Sequence, residues 1–308
     1  MKILKWLLFF LFILANIVFY NHAYSFTHFS KSGKRTQSPE SLPFFEKLTT
    51  LFKGVSIPKP QNTTLPSRKY ETLFIQSHEK LETWLIEVEN HKGIVVLFHG
   101  YSSCKSGILN YAEQFNEQGY STLLVDFMGS GGSEGYQTTI GFLESKDVKV
   151  AFDLMKQKYP TENIYLMGSS MGAVAIMKSI QDYAITPDKI ILECPFGTMV
   201  KTTQKRFEAM NLPSFPFAQI LLVYGGFING FNPFSHQPTE YAKQIDTPTL
   251  LMSGKKDGRV TLEEVEEIFG NLTGPKKLKI LEKSGHENYL VNEKGNWVET
   301  VFGFLNED

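Results

Sequence analysis

The sequence contains a serine in a setting that could present a nucleophile. Ser170 is the centre of the pattern GSSMG at residues 168–172, which follows the apolar run 164–167 and precedes a helical pattern. Between a strand and a helix, Gly168 and Gly172 let neighbouring backbone pass close to a sharp turn that exposes the serine hydroxyl. We interpret Ser170 as a nucleophile, although an N-capping serine in a glycine-rich turn would give the same letters.

A serine hydroxyl is a weak nucleophile at neutral pH and needs a base within hydrogen-bond reach. Among the seven histidines, His286 follows the last apolar strand pattern and precedes a C-terminal helical pattern. It is therefore expected on a loop at the same edge of a sheet as Ser170. Most of the other histidines fall in the leader, the linker, early turns or an aromatic segment. His286 is the predicted base.

An imidazole base needs a carboxylate that fixes its tautomer and offsets its positive charge. Asp257 lies in GKKDGRV, directly after the apolar run TLLMS and one strand–helix unit before His286. The chain order serine, aspartate, histidine is the one expected for α/β-hydrolases. A turn-forming or helix-capping aspartate is the alternative interpretation. Glu193, at the end of the preceding strand pattern, is the reserve acid.

An acyl-transfer site also needs two N–H donors for the oxyanion. One is expected from the backbone of Met171, the residue after the nucleophile. The other is expected from the loop HGYSS after the third strand, where Gly100 allows close approach and the backbone of Tyr101 donates. His99 in the same loop is interpreted as a residue that orders the loop rather than as a base.

Strand and helix patterns that alternate from residue 70 onward must position these loops. The central strand patterns are nearly continuous apolar runs, which is typical of strands covered on both faces. We predict an α/β fold: a mostly parallel, eight-stranded twisted sheet with helices on both faces and a helical cap insertion. The predicted strands are 72–76, 83–88, 94–98, 122–126, 164–167, 189–192, 249–253 and 278–281, and the predicted helices are 107–118, 141–158, 171–183, 262–271 and 295–305.

The segment 195–245 interrupts this alternation, because it has no strand pattern and is rich in aromatic residues. Its length suits an insertion with its own helices better than a simple connection. We predict a cap within a hydrolase domain at 70–308, with an apolar underside that favours a small-molecule or lipid-like acyl substrate. A helical crossover with ordinary core aromatics is the alternative.

The first residues resemble an export signal. Two lysines precede an apolar run, and residues 6–30 contain no Asp, Glu, Lys or Arg. Residues 1–28 are predicted to be a signal peptide or an N-terminal membrane anchor, with membrane association through residues 3–20. Either interpretation places the body outside the cytoplasm. Residues 29–69 are predicted to be a linker with a short docking helix at 42–52.

Composition narrows the classes of partner. The net charge is −1, with 31 basic and 32 acidic residues, so neither nucleic acid nor an anionic surface is favoured as a partner. The two cysteines, Cys104 and Cys194, have no metal-ligand spacing and are too few for a disulfide scaffold. We expect no metal and no cofactor. Whether the cysteines pair, and the oligomeric state, stay open.

These motifs together resemble the α/β-hydrolase superfamily, in the branch of serine aminopeptidase-like and acyl-hydrolase-like proteins with an N-terminal hydrophobic segment. The resemblance covers residues 70–305 and is carried by HGY, GSSMG, GKKDGRV, SGH and the turn DFMGSGGS that begins at Asp126. Met128 stands where an arginine is frequent in that turn, and the role expected for the turn is architectural.

The resemblance implies a serine hydrolase that cleaves an ester, thioester or amide through an acyl-enzyme, in the manner of a carboxylesterase or lipase. A peptidase or acyltransferase on the same fold is an alternative. A non-catalytic hydrolase-like binding protein is another. The cap matches no motif of known specificity, so the substrate is not inherited from the resemblance.

Overall fold

Eight strands form one sheet in the computed structural model, which describes residues 2–36, 45–46, 49–50 and 54–307. Seven of the eight strands begin and end within two residues of the predicted limits. The strands are β1 Glu71–Gln76, β2 Lys80–Ile86, β3 Ile94–Phe98, β4 Ser121–Val125, β5 Ile164–Ser169, β6 Lys189–Glu193, β7 Thr249–Gly254 and β8 Lys276–Leu281.

The strand order in the sheet is β1-β2-β4-β3-β5-β6-β7-β8. β2 pairs antiparallel with both β1 and β4, and every other neighbouring pair is parallel. The crossover at β3 and β4 puts β3 next to β5, at the centre of the sheet. The predicted fold class is confirmed: a mostly parallel α/β sheet of eight strands with helices.

Helices lie before the first strand, between strands and after the last strand. Those whose bounds fall within the described residues are α1 Lys2–Thr27, α2 Leu109–Glu117, α3 Glu144–Lys158, α4 Met171–Tyr183, α5 Met199–Ala209, α6 Phe217–Asn229, α7 Pro238–Tyr241, α8 Leu262–Asn271, α9 Tyr289–Asn292 and α10 Lys294–Leu305. All five residues of β3 are buried, and successive side chains of a strand point to opposite faces, so both faces of the sheet are covered. Val95 and Leu97 share one core cluster with Phe115 of α2 and Trp297 of α10.

The chain divides into two compact units. One consists of Pro60–Thr198 and Gln237–Asp308 and contains the whole sheet; we call it the hydrolase unit. Residues 60–69, predicted as part of the linker, belong to it, and the Pro60 carbonyl accepts a hydrogen bond of 3.0 Å from the Gly131 N–H. The other consists of Met1–Lys59 and Met199–His236; we call it the N-terminal and cap unit.

The N-terminal and cap unit contains α1, α5 and α6. α5 and α6 lie within the segment predicted as the cap, 195–245. Most of the predicted docking helix at 42–52 lies outside the described residues. α1 has 26 residues and a mean hydropathy of 2.2 over its most apolar window, and it is long and apolar enough to cross a membrane by length and composition. It therefore fits a signal anchor or a membrane segment.

Candidate active site

Ser170 occupies a strained turn between β5 and α4. Its φ is +52° and its ψ is −111°, a conformation that non-glycine residues rarely adopt. The end of β6 holds the turn in place, because the Ser170 N–H donates a 2.7 Å hydrogen bond to the carbonyl of Glu193. Strain of this kind persists only where the surrounding structure enforces it, and here it projects the serine side chain beyond the end of the strand.

Both flanking glycines are required by close packing. A Cβ on Gly168 would lie 2.4 Å from the carbonyl carbon of Gly172, and one on Gly172 would lie 2.5 Å from the Phe98 carbonyl oxygen at the end of β3. Such distances are far below van der Waals contact. The glycines of the motif therefore let α4 start directly against β3 and β5, which is the reason the sequence pattern needs them.

His286 and Asp257 meet the serine at this edge of the sheet. The Ser170 Oγ lies 3.0 Å from the His286 Nε2, and the His286 Nδ1 lies 2.8 Å from the Asp257 Oδ2. Asp257 follows β7, and His286 lies between β8 and α9. The three loops that were predicted to converge are thus brought together in one hydrogen-bonded chain.

The Asp257 carboxylate is fixed in its orientation. Its Oδ1 accepts hydrogen bonds from the N–H groups of Arg259 at 2.8 Å and Val260 at 3.0 Å, which leaves Oδ2 for His286. Burial acts to raise the pKa of Asp257, but the hydrogen bond and charge of His286 together with the two N–H groups lower it. The group is therefore an anion that can hold a protonated imidazole.

The surroundings of the His286 imidazole favour the charged form that it takes on when it accepts a proton. Burial acts to lower the pKa of His286, but the Cys194 sulfur and the Asp257 carboxylate outweigh burial and raise the pKa to about 10. Cys194 lies directly after β6, and no sequence pattern predicts it beside His286. Its sulfur is buried and lies close to the His286–Asp257 pair.

Cys194 also completes a set of atoms that could bind a soft metal ion. The ligand atoms of Cys194, Asp257 and His286 all lie within 4.8 Å of one another. Thiolate, imidazole and carboxylate are the ligands that Zn²⁺ takes in proteins. A metal there would engage His286 and Asp257, the same two side chains that form the hydrogen bond beside Ser170. Cys104 is likewise not in a disulfide, and its sulfur is 3.2 Å from the Gln61 carbonyl oxygen.

Glu193, the reserve acid, faces other partners. Its carboxylate accepts hydrogen bonds from the Tyr111 hydroxyl at 2.8 Å and from the Trp297 indole N–H at 2.6 Å. Burial raises its pKa to about 7, although both hydrogen bonds act to lower it. Because His286 bonds to Asp257 instead, Glu193 has a structural place beneath the serine turn rather than beside the imidazole.

The loop after β3 lies next to the serine. A Cβ on Gly100 would lie 3.7 Å from the Ser170 Cβ, so the backbone around Tyr101 passes close to the nucleophile. Met171 is the first residue of α4, and N–H groups in the first turn of a helix have no partner within the helix. The two backbone segments chosen for the oxyanion donors thus flank Ser170.

His99 orders this loop from within the core. Its Nε2 accepts a 3.2 Å hydrogen bond from the Phe127 N–H, so its Nδ1 carries the proton and donates to the Gly100 carbonyl at 2.8 Å. Burial lowers the pKa of His99, which keeps the ring neutral. The ring therefore connects the loop after β3 with the turn after β4.

A buried ion pair that no sequence motif predicts fixes the other end of the same loop. Lys105 is fully buried, and its ammonium group bonds to the Asp126 carboxylate and, at 2.7 Å, to that of Glu82. Asp126 also accepts the N–H groups of Lys105 at 2.7 Å and Gly132 at 2.8 Å. The glycine-rich turn after β4 is thereby tied to the loop after β3, which is the architectural role expected of Asp126.

The sheet order, the serine on a strained strand-to-helix turn and the loops that meet beside it define an α/β-hydrolase, and the chain belongs to that superfamily. A family model described as serine aminopeptidase, S33, matches residues 89–222, which include Ser170 and end before Asp257.

Relatives by sequence include an uncharacterized protein of Bacillus subtilis, YqkD, which is 27% identical over 214 residues that cover 68% of this chain and 70% of YqkD. The acylamino-acid-releasing enzyme of Rattus norvegicus is 25% identical over 233 residues, 68% of this chain but only 31% of that enzyme. The chain thus spans about a third of that longer relative. Among solved structures, the Pyrococcus furiosus esterase Pf2001 matches with a TM-score of 0.68 and 24% identity, over 80% of this chain and 96% of that one, a likeness of fold.

Proposed function

We propose that the chain is a serine hydrolase that cleaves an ester, thioester or amide bond through an acyl-enzyme. The observation that carries the proposal is the hydrogen-bonded series from Ser170 through His286 to Asp257, with distances of 3.0 and 2.8 Å. Serine, base and orienting acid within hydrogen-bond reach of each other is the arrangement that activates a hydroxyl for acyl transfer.

Each residue has one task in this mechanism. The Ser170 Oγ attacks the substrate carbonyl carbon while the His286 Nε2 accepts its proton, and Asp257 stabilises the imidazolium that forms. The backbone N–H groups of Tyr101 and Met171 stabilise the oxyanion. His286 then protonates the leaving group as the acyl–leaving group bond breaks. A water molecule then attacks the carbonyl carbon of the acyl-enzyme while His286 accepts its proton. His286 returns the proton to the Ser170 Oγ as the carboxylic acid is released.

A fluorophosphonate probe tests the nucleophile directly, because it bonds covalently to an activated serine. We expect wild type to be labelled and Ser170→Ala not to be. Ser169→Ala is the matched control, since Ser169 precedes the nucleophile in the same turn and is labelled like wild type if the proposal holds. Equal labelling of wild type and Ser170→Ala would exclude Ser170 as the nucleophile. No labelling of the folded wild type would favour a non-catalytic binding protein.

The proposed substrate is an uncharged acyl ester, as for a carboxylesterase. Pf2001 is named an esterase. The rat relative is named for release of acylamino acids, which makes an amidase or peptidase the second candidate. Short p-nitrophenyl esters compared with N-acetylaminoacyl p-nitroanilides separate the two. A higher kcat/KM for the esters supports the first candidate, and the reverse order supports the second.

We infer further that α1 is retained as a membrane anchor, with the hydrolase unit on the outer side. Ala23-Tyr24-Ser25 has the small-x-small pattern of a signal cleavage site, but it lies within the last turns of the continuous helix α1, and Ala23 is buried, which supports retention. Lys2 and Lys5 favour a cytoplasmic N-terminus. The intact mass of the protein isolated from membranes tests this: the full-length mass is expected, and a mass that begins after residue 23 or 25 contradicts retention.

A further inference from the structure

We propose that α6 lies in the outer leaflet of the membrane beside α1, so that the N-terminal and cap unit is embedded in lipid and not merely tethered to it. The partner is the hydrocarbon of a bilayer. The proposal rests on the inferred retention of α1 and is independent of the hydrolase chemistry.

Two long stretches of this unit carry no formal charge. Residues 6–30 contain no Asp, Glu, Lys or Arg, and neither do residues 209–239, which include all of α6. Charged side chains are the groups that hydrocarbon excludes most strongly. The second stretch is far from the N-terminus in sequence, so an export signal does not explain its composition.

The two uncharged helices pack against each other. The Tyr224 hydroxyl of α6 donates a hydrogen bond to the Asn16 Oδ1, and the ring of Tyr224 lies 6.3 Å from that of Tyr20. Phe217 stacks on Phe19 with ring centroids 5.9 Å apart. α6 is therefore held at the level of residues 16–20 of α1.

Positions along α1 give the depth of that level. Lys5 marks the inner surface, and a hydrocarbon layer of about 30 Å takes about 20 helical residues, which reaches residue 25. The outer boundary is marked independently: the Arg206 guanidinium lies 5.2 Å from the ring centre of Phe26, and Lys31, Lys34 and Arg35 follow. Tyr20 lies about 9 Å and Asn16 about 15 Å inside that boundary at a rise of 1.5 Å per residue. Residues of α6 that touch them lie inside it too.

Asn16 and Asn229 have hydrogen-bond partners within the unit, as hydrocarbon requires, whereas the Gln219 Oε1 of α6 is buried without one. The Asn16 amide donates a 2.6 Å hydrogen bond to the Phe12 carbonyl, while its oxygen accepts from Tyr224. The Asn229 amide at the end of α6 donates to the Gly225 carbonyl at 2.8 Å. Asn16, the one strongly polar residue in the middle of α1, is thus bonded on both sides of its amide.

The outward face of α6 is apolar. Phe215 just before the helix is 75% exposed, and Val223 and Phe227, one turn apart on one face, are 56% and 81% exposed. Large apolar side chains in such a row are unfavourable in water and mark a surface that binds a protein or a membrane. α6 packs against α1, whose own large apolar side chains are also exposed, and this favours the membrane.

Spin labels on the full-length chain in vesicles of phosphatidylcholine and phosphatidylglycerol test the proposal. One nitroxide at a time is placed on Val223→Cys or Phe227→Cys, and Leu8→Cys gives the reading inside the bilayer. Matched controls on the hydrolase unit are Phe74→Cys and Val291→Cys, which replace apolar residues that are 56% and 69% exposed. The two native cysteines are buried, and the unsubstituted chain measures their labelling.

Oxygen concentrates in hydrocarbon, whereas a nickel chelate stays in water. We expect the ratio of oxygen to nickel collision rates at 223 and 227 to resemble that at 8 and to exceed those at 74 and 291. Ratios that match the controls at 74 and 291 overturn the proposal. Labels shielded from both reagents and broadened by spin–spin coupling would place a second copy of the chain on α6 and overturn it as well. None of these collision rates depends on catalytic turnover. Failure of the hydrolase proposal would be seen in the fluorophosphonate labelling and would leave the collision rates unchanged.

Discussion

Gly172 lies so close to Phe98 that a Cβ on the glycine would stand 2.5 Å from the phenylalanine carbonyl oxygen. The contact joins the start of α4 to the end of β3 and lets the serine turn form. We expect Gly172→Ala to lower the free energy of unfolding by about 1–3 kcal/mol, as overpacking of a dense core does. Thermal melting measures this, with the loss of fluorophosphonate labelling as a second reading.

Gly303→Ala is the matched control, because Gly303 lies in α10 with nothing within 4 Å of its would-be Cβ. There the substitution should stabilise by up to about 1 kcal/mol, since alanine is the better helix former. Equal effects at the two positions would mean that the contact with Phe98 is not what requires glycine at 172.

Replacement of the nucleophile separates catalysis from backbone strain. Ser170→Ala and Ser170→Gly should each lower kcat by a factor on the order of 10⁶. The positive φ of Ser170 costs a non-glycine residue about 1–3 kcal/mol, so the glycine variant should unfold at a higher temperature than the alanine variant. Calorimetry of the pair measures this, and a more stable alanine variant would contradict the strain.

Asp257→Asn should lower kcat by about 10⁴-fold while leaving the fold intact, because an amide no longer fixes the imidazole tautomer or offsets its charge. Glu193→Gln is the matched control at the reserve acid. It keeps the shape of a side chain that bonds to Tyr111 and Trp297, so kcat should fall far less. Steady-state kinetics of both variants measure the two losses in kcat. A larger loss for Glu193→Gln would make Glu193, and not Asp257, the acid that orients His286.

Cys194 should set part of the pH dependence. The base must be neutral to accept a proton, so kcat/KM rises with pH through the pKa of His286, which Cys194 and Asp257 raise. Cys194→Ala removes the first of these contributions and should move the midpoint of this rise to lower pH, with the limiting rate largely retained. A pH–rate profile of both proteins measures the shift. An unchanged midpoint would show that Cys194 does not contribute to the pKa of His286.

The buried pair of Lys105 and Asp126 should be sensitive to the loss of one partner. Lys105→Met leaves the Asp126 charge buried and uncompensated by the ammonium, and we expect a loss of about 3–5 kcal/mol in unfolding free energy. The double variant Lys105→Met, Asp126→Asn should recover part of that loss. Denaturant unfolding of the three proteins measures the coupling, and additive losses would argue against a direct pair.

The sheet and the three converging loops could be predicted because each central strand is a continuous apolar run whose end is visible in the sequence. Strand limits differ from the prediction where polar residues take part in the backbone pairing of the sheet. β8 starts at Lys276 and not at Leu278, since Lys276 pairs with Thr249 through its backbone. β2 starts at Lys80, three residues before the predicted limit, because the turn from β1 is very short.

Other features had no local signal. Lys105 lies in a polar turn, where a lysine is expected to be solvated. Only the folded chain brings it between the carboxylates of Glu82 and Asp126. Cys194 follows a strand like many buried cysteines, and its proximity to His286 depends on the β6–β7–β8 order. The composition of residues 1–28 predicts α1. Its packing against α6 joins segments about 200 residues apart, and no pattern in the sequence indicates this contact.

The bond between Tyr224 and Asn16 has a practical consequence for anyone who prepares this protein. A recombinant form shortened to begin after the leader would lack α1, which is the helix that packs against α6. The side of α6 that carries Phe217 and Tyr224 would then face solvent together with Phe227. We expect such a shortened form to aggregate through the uncovered face of α6. Detergent, or retention of the leader, should prevent the aggregation.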